Sequence, residues 1–99
     1  MDYSLLFEWD EAKSNRNRAE RGFDFEYACR IFVRQVLEEK DDRRRNYGES
    51  RIIATGEIGT ETFVVVYTWR GNRRRIISAR PAKRRERDAY RQAFPERDS

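Results

Sequence analysis

The sequence predicts an α+β fold: an antiparallel sheet meander packed against two N-terminal helices and one C-terminal helix. Two observations carry this prediction. Strand-like runs at 63–69 and 75–79 flank Arg70-Gly71-Asn72-Arg73-Arg74, whose Gly71-Asn72 pair marks a hairpin. Apolar residues recur at helical spacing before them, at Phe25, Ala28, Cys29 and Phe32, and after them, at Ala82, Ala89, Tyr90, Ala93 and Phe94. Ninety-nine residues suffice for one core and not for two, so residues 1–99 are read as a single domain.

Taken in order, residues 3–9 form a short apolar run that reads as a strand. Asp10 is placed to cap a helix of about eleven residues that stops at Gly22. That helix has few apolar positions, Ala12 and Ala19 among them, so its neighbours must hold it in place. Lys13, Arg16, Asn17 and Glu20 share one of its faces. For Lys13 and Arg16, phosphate contact and a solvated surface are the two readings. Asp24 caps the second helix, and Phe23 is placed to staple against Ala28. Val36-Leu37 allow a short strand before the charged run 38–46, which reads as a mobile loop. There Arg43, Arg44 and Arg45 either meet a backbone phosphate or stay solvated. Tyr47-Gly48-Glu49-Ser50 reads as a turn into a strand at 51–55 that ends at Gly56. Residues 57–61, with Gly59, make a second hairpin turn. Pro81, with fixed φ and no N–H, suits the first turn of the last helix.

Composition narrows the function. The chain is 37% hydrophobic and 40% charged, polar for a folded domain, yet the Val-Ile runs and a 13% aromatic content argue against disorder. Residues 70–99 hold eleven Lys+Arg against four Asp+Glu, a net of +7, whereas residues 1–69 carry a net of −3. An anionic partner is therefore drawn to the C-terminal third. Only Lys13, Lys40 and Lys83 are lysines, and the planar fork of arginine suits phosphate, carboxylate and base stacking. Seven or so elements in this length leave little room for a deep small-molecule pocket, so a surface that engages a polymer is expected.

Cys29 is the only cysteine, which excludes an intrachain disulfide, and its place in the apolar stripe reads as core. There is no histidine, which excludes imidazole metal sites and any Ser-His-Asp or Cys-His arrangement. No metal and no cofactor is expected. The first ten residues carry acids at both ends and no long apolar run, so neither a signal peptide nor a membrane span is read there, and a cytoplasmic location without membrane contact is expected.

A larger pattern joins these residues. Phe7-Glu8-Trp9-Asp10, Lys13, Asn17, Gly22, Phe25, Ala28 and Phe32 come first. Glu49, Arg51 and Gly56 follow, then Val65-Val66-Tyr67-Thr68 and Arg75-Ile76-Ile77-Ser78-Ala79-Arg80, with Ala82, Glu86 and Tyr90 last. In this order and spacing the chain resembles the BrnT toxins of bacterial type II toxin-antitoxin modules, over residues 7–90. The resemblance implies a RelE-like fold and a ribonuclease activity that arrests translation and growth. It also implies neutralisation by a BrnA antitoxin with a ribbon-helix-helix DNA-binding domain, and a complex that represses its own operon. RNA, either free mRNA or mRNA on the ribosome, is then the substrate, and operator DNA is met only through the antitoxin. The chain departs from the family pattern in two places. Glu20-Arg21-Gly22 stands where Lys-His-Gly is usual, and Arg21 cannot accept a proton as histidine does. Lys83 stands where Thr or Ser usually completes a capping box with Glu86, and Pro81 offers an earlier helix start.

Metal-independent RNA cleavage needs a base for the ribose 2′-OH, cations for the phosphate and an acid for the leaving 5′-oxygen. Arg51, Arg75 and Arg80 are the expected phosphate ligands, with Lys13 assisting from the first helix. In a regular strand Arg75 lies opposite to Arg80, so both meet one phosphate only if the strand bends or bulges, and Arg80 is preferred. Glu49 or Glu86 is the expected base, and Tyr67 or Tyr90 a proton donor or stacking surface. Arg16, Arg84, Arg85 and Tyr90, with Arg75, are expected RNA contacts. The competing structural readings pair Glu86 with Arg80, pair Arg51 with Glu49, and bury Tyr90 in the core. Three classes follow: a ribonuclease toxin, a non-catalytic RNA- or antitoxin-binding module acting in operon autoregulation, and a DNA-binding regulator. The last ranks lowest because no helix-turn-helix pattern is visible.

Overall fold

Two tight hairpins set the frame. The computed structural model describes residues 3–42 and 49–95; the Arg43–Arg45 run and the turn at Tyr47-Gly48 lie outside the described residues. Strands β1 (Phe7–Trp9), β2 (Leu37–Lys40), β3 (Ile52–Ile58), β4 (Glu61–Arg70) and β5 (Arg73–Pro81) make one sheet in the order β1-β5-β4-β3-β2. The two-residue loops Gly59-Thr60 and Gly71-Asn72 join β3 to β4 and β4 to β5. Gly59 and Gly71 each have φ of +61°, and no other residue type has positive φ among the described residues. Glycine at the first central position is what a type II′ hairpin requires.

The sheet is mixed rather than an antiparallel meander, because β1 pairs parallel with β5. Alternating hydrophobicity identifies a strand without identifying its partner, and β1 reaches the sheet through helices that allow either direction. Three boundaries also differ from expectation. Residues 3–5 are a 3₁₀ turn, leaving only three residues of strand. The short strand allowed at Val36-Leu37 is β2, but it starts at Leu37 and continues to Lys40 into the charged stretch read as loop, where charge on an edge strand discourages pairing with another chain. Gly56 does not end β3: a Cβ there would stand 2.8 Å from Ile31 Cβ and 3.1 Å from Val36 Cγ1, so glycine marks a close approach.

Helix α1 (Glu11–Arg21) forms as the local signals dictate. The Asp10 carboxylate accepts the Lys13 N–H, and Gly22 closes the helix with φ of +89°. Its inward side is polar, however, and Ala12 and Ala19 are exposed. Ser14 and Asn17 are buried, Ser14 Oγ accepting the Phe25 N–H and Asn17 Nδ2 donating to Phe23 O, each at 2.9 Å. Asp24 caps α2 (Phe25–Ala28), a single turn that tightens into a 3₁₀ helix at Cys29–Val33, so the second N-terminal helix is shorter and more irregular than expected. Pro81 closes β5 instead of opening a helix, and α3 (Arg84–Ala93) starts three residues later.

The sheet has two faces. One carries α2, the 3₁₀ helix and the main core, including Phe7, Phe25, Ile31, Phe63, Val65 and Tyr67. Cys29 lies inside it, and burial pushes its thiol up to about 12, which makes it inert. The other face is partly covered by α3, where Val64 and Tyr90 are buried. The uncovered remainder of that second face is open to solvent.

Candidate functional site

Strand β5 contains a bulge. Val66 pairs with Ser78 while Tyr67 pairs with Ile76, so Ile77 is an extra residue with nothing opposite it. The alternation restarts there. Arg75, Ser78 and Arg80 pair with Thr68, Val66 and Val64, which alternate along β4 and so share a face. The condition for bringing Arg75 and Arg80 to one side is therefore met. Arg51, one residue before Ile52, alternates to this same face, and successive rows of side chains stand about 7 Å apart.

Each of these arginines has a carboxylate partner. Arg80 grips Glu86 through both terminal nitrogens, at 2.8 and 2.7 Å. Arg75 Nη1 lies 2.9 Å from Glu8 Oε2, and Arg51 Nε lies 3.2 Å from Glu49 Oε2. Arg70 and Arg73 also approach Glu8, at 3.8 Å. Glu86 is held from a second side, because Oε1 accepts the Lys83 N–H at 2.7 Å. Lysine has no acceptor to offer in return, so only half of a capping box forms. Hydrogen bonds from Arg80 lower the Glu86 carboxyl to about 2, against a smaller opposing effect of burial.

Helix α1 meets the site at its edge. Beyond Ile76, β1 no longer covers β5, and a small cleft of about 130 Å³ opens there, lined by Lys13, Arg16 and Asn17 against Ile77 and Ser78. Ser78 thus belongs both to this cleft and to the arginine face. On the other side, a cleft of about 450 Å³ between α3 and the β2–β3 edge is lined by Arg80, Arg85, Glu86, Glu39 and Ile53. Arg84 and Arg85 are exposed at the start of α3.

Two expected residues are not brought there. Tyr67 points to the opposite, helix-covered face, is 1% exposed and donates to Glu38 Oε2 at 2.6 Å. Burial first, and then that bond, raises its pKa, so it is a poor proton donor. Tyr90 is also buried, its hydroxyl donating to Gln35 O at 2.8 Å, which supports the core reading over a stacking surface. Glu8 and Ser78 were missed. Glu8 had one signal, its position between Phe7 and Trp9 on the polar side of an alternating strand, but its partner Arg75 depends on the parallel pairing. Among the described residues, no group of three or more His, Cys, Asp or Glu could hold a metal ion, and no helix is long and apolar enough to cross a membrane.

Comparison with known proteins identifies the family. The family model described as ribonuclease toxin, BrnT, of type II toxin-antitoxin system matches residues 9–86. Neither the curated proteins nor the solved structures give a match. The matched span runs from Trp9 through α1 and the bulge to Glu86, so it includes the Arg51–Glu49 and Arg80–Glu86 pairs, while Glu8, the partner of Arg75, lies just outside it. The chain belongs to the BrnT family of ribonuclease toxins of type II toxin-antitoxin systems.

Proposed function

We propose that this chain is a metal-independent endoribonuclease that cuts RNA on the open sheet face beside α3, and that cutting mRNA arrests translation and growth in the cytoplasm. The observation that carries the reading is the bulge at Ile77, which aligns Arg75, Ser78 and Arg80 along one strip of β5. Arg51, Arg75 and Arg80 bind the scissile phosphate and stabilise the charge that develops on it. Arginine stays protonated and serves no other role. Glu86 positions Arg80: a carboxyl at about 2, with its oxygens already engaged, is a weak proton acceptor at neutral pH. Glu49 is then the general base, released from Arg51 when phosphate takes its place. Lys13, at the edge of the same strip, donates a proton to the leaving 5′-oxygen. Arg16, Arg84 and Arg85 hold flanking phosphates.

The partner in this reading is a BrnA-type antitoxin with a ribbon-helix-helix domain, and operator DNA is contacted only through it. Controlled expression of the chain in bacteria, with incorporation of labelled amino acids followed over time, tests the physiological part. Rapid arrest that a co-expressed antitoxin relieves is the expected result, and unaffected growth at confirmed expression contradicts it. A second reading, a non-catalytic module that binds RNA or antitoxin in operon autoregulation, is favoured by one observation: Glu49 and Glu86 are both engaged by arginine. Bound RNA that stays intact in the presence of translating ribosomes would favour that reading.

A further inference from the structure

Among the described residues, the large hydrophobic side chains left exposed are Leu5, Leu6, Val33 and Trp69, at 67, 46, 70 and 47%. The segments that carry them meet at one place. Arg74 is the hub that joins them: its N–H bonds Leu6 O at 2.9 Å, and Trp69 is its cross-strand partner. The guanidinium carbon of Arg74 lies 4.3 Å from the ring centre of Phe32, which precedes Val33, and 4.7 Å from that of Trp69. Its Nε is buried without a hydrogen-bond partner. The patch lies at the hairpin end of the helix-covered face, whereas the proposed cleavage strip lies on the other face.

An exposed apolar patch gathered around a stacked cation is built to be covered. Arg70 and Arg73 turn to the opposite face beside Glu8; otherwise the segments that form the patch, residues 3–7, 32–36 and 69–74, contain Arg34 and Arg74 and no Asp or Glu. A second copy of this chain would set those arginines against their equivalents and is disfavoured by repulsion. RNA is disfavoured because Leu5, Leu6 and Val33 offer bases no stacking surface. We infer that this patch is the docking surface for the antitoxin, through a segment that presents aliphatic side chains flanking a carboxylate that pairs with Arg74. The inference rests on the antitoxin-partnered reading above and adds where the partner sits: on the side of the sheet away from the arginine strip.

The test compares the purified chain with a Leu5→Glu, Val33→Glu double variant. Both positions are about two-thirds exposed, so the fold should survive, and Val33→Ser alone serves if it does not. Titration with the purified cognate antitoxin should show at least a hundredfold weaker binding by the double variant, with cleavage of free RNA unchanged. Cells that make both proteins should then be arrested by the variant and not by the wild type. Equal affinity of variant and wild type for the antitoxin overturns this inference while leaving the toxin reading intact. A wild-type chain that binds no antitoxin overturns both. Loss of self-association or of RNA affinity, with antitoxin binding unchanged, assigns the patch to another occupant and also overturns it.

Discussion

Arg80 and Glu86 are joined by two parallel hydrogen bonds, at 2.8 and 2.7 Å, and the glutamate is tied in turn to the backbone N–H of Lys83. One carboxylate therefore caps α3 and orients an arginine on β5. The consequence is a guanidinium held in a fixed plane at the mouth of the wider cleft. Replacing Arg80 with Lys keeps the charge but loses the fork. Arg80→Lys should lower cleavage by at least tenfold while the melting temperature changes little, as single-turnover cleavage beside a thermal melt would reveal.

The low pKa of Glu86 has a pH signature. Its folded value of about 2 lies below the ordinary 4.5, so its contribution to stability is fully present above pH 4.5. That contribution is lost as the pH falls from 4.5 toward 2. Thermal melts of wild type and Glu86→Gln across this range should converge at the acidic end, with the wild type more stable above pH 5. Parallel curves throughout would contradict the assignment.

The two carboxylates should separate kinetically. Removing a general base costs roughly a hundredfold or more in rate, so Glu49→Gln should lower kcat by that much. Glu86→Gln should lose less, because a neutral amide still bonds Arg80. If both variants cleave at the wild-type rate, no carboxylate acts as base.

Tyr67→Phe removes the bond to Glu38 and the contact of the hydroxyl with Arg74, both on the covered face. It should cost about 1 kcal/mol of stability and leave cleavage intact. A folded Tyr67→Phe protein without activity would return this tyrosine to the mechanism.

Gly56→Ala places a methyl 2.8 Å from Ile31 Cβ in a packed core. Overpacking of this kind costs about 1–3 kcal/mol, and the loss should appear in denaturant melts with the midpoint lowered. An unchanged midpoint would mean that the 3₁₀ helix yields freely.

What the sequence revealed follows the range of the forces involved. Asp10, Gly22 and Asp24 act on residues within one turn, and each caps where it was expected. The hairpin glycines are equally local. The parallel pairing of β1 joins Glu8 to Arg75 across 67 residues, and no local pattern encodes it. Counting by twos put Arg75 and Arg80 on opposite faces, and the extra residue at Ile77 reverses that count. Ser14 and Asn17 look like surface residues until the α1–α2 turn folds back and offers them backbone partners. Pro81 suits both a helix start and a strand end, and the bond from Ala82 N–H to Thr62 O extends the sheet past it. The charged residues of the candidate site stand out in the sequence as a set, and the sharing of one face by Arg75 and Arg80 does not.

If the arginine strip cuts RNA, incubation of the purified chain with end-labelled RNA in EDTA, with folded Arg80→Ala alongside, reveals it. Cleavage by the wild type alone, leaving 2′,3′-cyclic phosphate ends, is the predicted result. Equal cleavage by both proteins, or cleavage abolished by EDTA, would contradict it.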